Sequence, residues 1–364
     1  MINKRVIWQE SAGDTNRDYV NICLKYDVIL NGPGRFGSWP ECKTGLIKYG
    51  IEIGVNKSKK AEDLRRFAKD MQEGDIVILR TGTNFVHAIG IISGVYFWCN
   101  LFSDVDGWDL QHVRRVKWIW IRENNKPKDF PVNTLKQGDT TQQLGTKEKR
   151  KPLLDWLKSL DLNYDEVDLQ VSKLPKLSPV VSLDQIGEYL FSKGVSSNSI
   201  ENLKDVIDDL QMIARWYDND YLLDPSEFET EAYLVIPLLR ALGWTPQKMA
   251  LEFKSEDKGG KKIDIALFSN LPRSDETIVS LIEAKRKGES VFNAFQQAKD
   301  YAEGKTTINR LVVSDGIRYG IFTKNKDDWQ LLAYMNLTSF HEEYKIYDAK
   351  GILEALWVMS PEWN

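Results

Sequence analysis

The first part of the chain is built of short apolar runs set off by glycines. They are Val28-Ile29-Leu30 before Asn31-Gly32-Pro33-Gly34, Ile76 to Arg80 after Gly74-Asp75, Ala88 to Ile92, and Val116 to Ile121. Runs of this kind, rich in β-branched residues and bounded by turn formers, predict strands. Between the first two, Lys60 to Met71 carries Leu64, Phe67, Ala68 and Met71 at helical spacing. Residues 1–160 are therefore expected to form a small β-rich α+β domain, a partly closed barrel. Over 161–224 the pattern changes to a proline-stiffened connector, Leu174 to Pro179, and two amphipathic helices. Ser182 is placed to cap the first, which runs to about Lys193. The second, Ser199 to Tyr217, has Ile200, Leu203, Val206, Ile207, Leu210, Ile213 and Ala214 on one face, and the pair is expected to act as a linker. From 225 to 364 a helix running to Leu242 stops at Gly243-Trp244. Strands and a helix over about 289–303 follow, then two strands bracketing Asp315-Gly316, giving an α/β unit.

One stretch breaks its own pattern. Lys261 to Arg286 reads as two adjacent apolar strands, yet it carries Asp264, Glu283 and Lys285. Side chains alternate along a strand, so Glu283 and Lys285 share a side opposite Ile282 and Ala284. Burying such charges costs several kcal/mol unless partners or a metal offset it. A structural ion pair is one reading, and a catalytic centre is the other.

Composition narrows the choice. With 364 residues, 42% hydrophobic and 28% charged, the chain is expected to be globular with more than one domain. No run of about 18 apolar residues suggests a membrane span, and no signal-peptide pattern opens the chain, so a cytoplasmic protein is expected. Cys23, Cys42 and Cys99 lack paired metal spacing. His87, His112 and His341 are scattered, which argues against histidine-based chemistry, and no phosphate-binding P-loop occurs, so no nucleotide cofactor is expected. A net charge of −4 leaves nucleic-acid binding to local clusters such as Arg114, Arg115 and Lys117, or Lys285, Arg286 and Lys287.

In the first domain Gly74-Asp75-Ile76-Val77, Ala88 to Ile92 running into Tyr96, and Gly107-Trp108-Asp109 through Val116-Lys117-Trp118 resemble the EVE and YTH-like group of the PUA superfamily. The resemblance implies a pocket holding a flipped, modified base between aromatic rings. Stacking of a base on such a ring is worth roughly 1–3 kcal/mol. The candidates are Trp39, Trp98 and Trp108, with Ser38 and Asp109 for the base edge and Arg35, Arg114 and Arg115 for flanking phosphates. For Trp39 and Trp108 pocket and core remain equal readings; at least one of Trp118 and Trp120 is expected in the core.

The second resemblance lies over about 225–335. A Glu-Thr ahead of Ile-Pro-Leu-Leu-Arg-Ala-Leu-Gly-Trp, then Asp264, Glu283-Ala284-Lys285, and Gln297 through Tyr301 follow the order of the PD-(D/E)XK nucleases, above all type I restriction nuclease domains. This implies Mg2+, with Mn2+ as a substitute, held by Asp264, Glu283 and the Ala284 carbonyl. Lys285 would orient water or offset charge on the phosphate. Glu229 is the candidate upstream acid, with Glu231 as rival; Glu229 also suits a helix N-terminus electrostatically. Gln297 and Tyr301, at i and i+4, share a helix face and are expected to position DNA and the metal site. Lys261, Lys262 and Arg286 are candidates for the DNA backbone. Together the two resemblances imply a restriction endonuclease acting on base-modified double-stranded DNA in phage defence, as a homodimer at least on DNA. An RNA-directed nuclease and a catalytically silent binding protein are the alternatives.

Overall fold

The computed structural model describes residues 5–14, 17–52, 59–145, 148–160, 162, 167–219, 223–254, 262–326 and 328–363. The chain divides into two compact units, 1–176 and 177–364. Both are mixed α and β.

Unit 1 contains strands β1 (Ile7–Ser11), β2 (Val28–Asn31), β3 (Ile76–Thr81), β4 (Phe85–Ile92), β5 (Phe97–Trp98), β6 (His112–Ile121), β7 (Lys128–Asp129) and β8 (Thr141–Gln143). Its α-helices are α1 (Val20–Tyr26), α2 (Lys43–Glu52), α3 (Lys59–Arg65) and α4 (Lys151–Ser159). The sheet runs β2-β6-β4-β3-β1-β8, with β5 and β7 added beside β6 and β4. Every neighbouring pair is antiparallel except β1 with β3. Register shifts at Leu79/Arg80 and Ile89/Gly90 bend the long strands. At the second, a Cβ on Gly90 would lie 2.2 Å from Val116 Cγ1, so only glycine lets β6 come this close. One face packs Ile76, Ile78, Ile89 and Ile91 against Leu153 and Leu157 of α4.

The run expected as a single helix from Lys60 to Met71 is α3 continued by a π-helical turn, Arg66–Asp70. Arg114, expected to reach phosphate, is instead 3% exposed and closes that turn. Its guanidinium donates to the carbonyls of Phe67 (2.6 Å), Ala68 (3.0 Å) and Gly94 (3.1 Å). A π turn leaves carbonyls without helical partners, and Arg114 supplies them.

Unit 2 begins with α5 (Leu183–Ser192) and α6 (Ser197–Asn219), followed by α7 (Glu227–Thr230), a π turn Glu231–Val235 and α8 (Ile236–Ala241). Strands β9 (Met249–Lys254), β10 (Lys262–Phe268) and β11 (Ile278–Ala284) lead through α9 (Val291–Ala302) to β12 (Arg310–Ser314). Then come β13 (Arg318–Asn325), β14 (Asp328–Asn336), β15 (Glu343–Tyr344), β16 (Ala349–Lys350) and α10 (Ile352–Met359). The sheet order is β15-β16-β14-β13-β12-β11-β10-β9. The β11–α9–β12 crossover joins parallel strands, while β9, β10 and β11 pair antiparallel.

The two helices expected as a linker belong to this unit. Ser182 forms a capping box with Gln185, as its position predicts. Ile186, Leu190, Leu203, Ile207 and Leu210 then share one core with Leu234, Leu238, Ile265, Ile282 and Val312. The stripe that looked like a spacer's self-contained face is one wall of that core. The opposite face of the sheet packs α9 through Val291, Ala294 and Ala298 on Leu281, Leu311 and Val313.

Candidate functional site

The charges that broke the strand pattern meet at one end of the neighbouring strands β10 and β11. Asp264 lies on β10 and its Oδ2 accepts the Ala284 N–H of β11 at 2.7 Å, which fixes the carboxylate between the strands. Glu283 is 1% exposed, and its Oε1 accepts from Lys285 Nζ at 2.7 Å. Its Oε2 is buried with no hydrogen-bond partner. An orphaned buried carboxylate oxygen is costly in a native protein and calls for a cation or proton.

The preceding helix adds two more acids. Glu227 and Glu231, one turn apart, bring carboxylate oxygens to Asp264 so that all three lie within 4.8 Å of one another. Thr230, between them, is fully buried and its hydroxyl reaches the Lys285 carbonyl at 3.4 Å. The π turn after Thr230 ends where Ile236 N–H bonds the Glu231 carbonyl, just before Pro237, which has no N–H to continue an α-helical ladder.

Glu229, the candidate upstream acid, is used otherwise. It completes a capping box, accepting the Ser226 N–H at 2.8 Å, and those bonds hold its pKa below the usual value. The rival Glu231 is at the cluster, and Glu227, unremarked in the sequence, joins it. The i, i+4 spacing of the two was the signal that could have found it.

Burial dominates the electrostatics. It raises Glu231 to about 7, helped by Asp264 and Glu227. It likewise raises Glu283 to about 7, against the hydrogen bond from Lys285. Asp264 and Glu227 are raised too, again chiefly by burial. Burial pulls Lys285 down, but the Glu283 hydrogen bond and the surrounding carboxylates outweigh it and hold the ammonium above its ordinary value. Four acids and one base thus share a partly buried strand end, a donor set of hard oxygens that fits Mg2+.

The other expected residues fall elsewhere. Tyr301 is 4% exposed in the core under α9, its hydroxyl donating to the Phe253 carbonyl at 3.0 Å, while Gln297 is exposed on the same helix. Lys262 is exposed and paired with Glu252, and Arg286 is exposed and paired with Asp224 at 3.1 Å. Lys261 lies outside the described residues.

In unit 1 a cavity of about 370 Å³ is lined by Tyr19, Tyr49, Lys60, Trp108 and Asp109, with Ser11, Gly32, Pro33 and Thr140. Tyr19 meets Trp108 edge-on at 5.8 Å, and Arg17 lies over the Trp108 ring at 4.3 Å. Asp109 holds Arg35 through its backbone and Nε, both at 2.9 Å. Trp39, Ser38 and Trp98 are not on this wall: Ser38 bonds Glu41 and Trp98 bonds the Gly34 carbonyl. Arg115 is tied to the carbonyls of Tyr26, Asp27 and Ser172. Trp120 packs edge-on against Trp156 of α4 at the margin of the core, both half-buried, and Trp118 is half-buried too, so neither strand tryptophan expected in the core is fully buried.

Comparison with known proteins bears on each unit separately. Residues 247–340 match the family described as type I restriction enzyme R protein N terminus, and residues 8–144 match a domain of unknown function, DUF8426. Part of the chain resembles a fragment of a putative HsdR subunit of a type I restriction enzyme from Vibrio vulnificus YJ016, at 24% identity and a TM-score of 0.25. That likeness covers 30% of this chain and 23% of the other, so the chain spans about a quarter of it. No curated protein matches. The restriction-enzyme family thus reaches across β10, β11, α9 and β12, while the EVE and PUA likeness of unit 1 finds no counterpart.

Proposed function

We propose that this protein is a restriction-type endonuclease that hydrolyses DNA phosphodiester bonds at the β10–β11 strand end with Mg2+. The observation that carries the reading is the convergence of Glu227, Glu231 and Asp264 beside the Glu283–Lys285 pair. The similarity of residues 247–340 to a restriction-enzyme region supports it. Asp264, Glu231, Glu227 and the free Oε2 of Glu283 are the oxygens that would hold the metal, with the Ala284 carbonyl as a further donor. Bound Mg2+ would polarise the phosphoryl oxygens and lower the pKa of a water. Lys285, steered by Glu283, offsets the negative charge that grows on the phosphate. Of these groups Glu283 sits deepest, and its ion pair keeps Lys285 aimed across the cluster rather than into solvent.

Unit 1 is assigned the reading of a modified base. Its cavity falls in the size range of small-ligand sites, and its aromatic wall with Asp109 suits a flat, hydrogen-bonding ring. One active site cuts one strand, so a double-strand break calls for two copies on the DNA.

The test is cleavage, with Mg2+, of matched DNAs carrying methylated adenine, methylated cytosine, hydroxymethylated or glucosylated cytosine, or no modification, beside an RNA arm. Asp264→Ala and Lys285→Ala are each expected to reduce cutting at least 100-fold, in the range of lost electrostatic stabilisation. Undiminished cutting by both variants overturns the site. Equal cutting of modified and unmodified DNA removes the reader assignment.

A further inference from the structure

The carboxylate cluster has an apolar lip that the hydrolytic reading leaves without a role. Phe228 follows Glu227 directly and is 75% exposed; Leu251, on the edge strand β9, is 53% exposed. Single exposed apolar side chains are ordinary on a protein surface. Phe228 is set apart by where it stands. At about 100° per helical residue, Glu227, Glu231 and Phe228 occupy one sector of the helix, with Phe228 at its outer margin, roughly 160° from buried Thr230. Thr230 faces the body of the unit through the Lys285 carbonyl, so Phe228 projects away from the body on the flank that carries the carboxylates. Leu251 is paired in register with Ile265, so its side chain leaves the sheet on the face of Ile265 and not on that of Asp264, and it stands apart from Phe228 as an ordinary exposed residue of the outer strand. Glu252, next in β9, adds to the negative field felt by Asp264, Glu227 and Glu231, which places this strand beside the acids.

We infer that Phe228 stacks on the unpaired base next to the scissile phosphate. The inference rests on the phosphodiesterase reading above and deepens it by naming the substrate state. A phosphate held at the carboxylates sits one nucleotide from its base, and the base is the only part of that nucleotide with an apolar face. Phenylalanine makes no hydrogen bond to a base edge, so the contact is blind to sequence. Inside a duplex both faces of a base are already stacked. The lip therefore favours a single-stranded or locally melted strand at the cut.

The experiment measures binding of the whole chain by fluorescence anisotropy, with Ca2+ in place of Mg2+. The probes are a labelled single-stranded oligonucleotide, the same strand made of abasic sites, and the matching duplex. Phe228→Ala is expected to weaken binding of the single strand about tenfold, within the range for a base on an aromatic ring. It should leave the abasic strand unchanged, and Phe228→Trp should restore affinity. With Phe228 so exposed, unchanged melting temperatures are expected for both variants. An equal loss on the intact and abasic strands, or no loss on either, overturns the inference while leaving the cleavage site standing. A change in sedimentation on Phe228→Ala without that base-dependent loss assigns the lip to a second copy and overturns it as well. A native chain that binds no nucleic acid at all overturns the parent reading first.

Discussion

Glu231 and Glu283 each hold a proton up to a pH of about 7, because burial beside other carboxylates disfavours the second and third negative charge. In the unfolded chain both would lose it near an ordinary glutamate value of about 4.3. The folded state therefore binds more protons between those limits, and its stability falls as pH rises through about 7. On the proposed metal reading the effect is opposite, since Mg2+ would require the deprotonated oxygens and its affinity would rise over the same window. Melting in chelator should accordingly drop from pH 5.5 to pH 8, whereas the upward shift produced by Mg2+ should grow. Glu231→Gln is expected to reduce both trends and leave the share carried by Glu283; trends unchanged in that variant would mean that Glu231 does not titrate here. At this scale the sequence was informative about Asp264, Glu283 and Lys285, because charges inside apolar strands contradict their surroundings. It could not separate Glu229 from Glu231, since which helical acid caps and which turns inward depends on the π turn at Glu231–Val235.

Elements position these residues through a close approach. Gly316, in the turn between β12 and β13, has φ +85°, and a Cβ there would stand 2.8 Å from Thr230 Cβ and 3.0 Å from Leu234 Cδ1. That approach seats the helix carrying Glu227 and Glu231 on the strands that carry Asp264 and Glu283. Gly316→Ala both strains the backbone and pushes that helix outward, at a combined cost of about 2–3 kcal/mol. Titration calorimetry should then show Mg2+ affinity reduced about tenfold or more, with Asp264 and Glu283 unaltered in sequence. A variant that is less stable but binds Mg2+ normally would mean that the helix acids contribute nothing to the metal. The Asp315-Gly316 turn was legible as a turn, but a sequence does not say what a glycine makes room for. The same limit hid Arg114: a basic cluster beside Arg115 and Lys117 looks like a phosphate contact until the π turn it closes is seen.

Across unit 2 the boundary between domain and linker is set by shared burial. The sequence reading set its boundaries at 160/161 and 224/225, with the proline run Leu174 to Pro179 inside a linker, whereas the two compact units meet at 176/177, within that run. The amphipathic stripes of α5 and α6 gave no sign of which partner they would cover, because an apolar face specifies burial without naming what buries it. They cover the sheet's inner face through Ile186, Leu190, Leu203, Ile207 and Leu210. At roughly 1.5–3 kcal/mol for each buried side chain of this size, those five account for about 8–15 kcal/mol, comparable with the whole stability of a typical domain. A fragment of residues 177–364 is therefore expected to unfold cooperatively in urea and to bind Mg2+. A fragment starting at 225 should lack that transition and bind apolar dyes. If the shorter fragment instead melted as cooperatively as the longer one, α5 and α6 would be a spacer after all, and the core that supports the carboxylate cluster would lie wholly within residues 225–364.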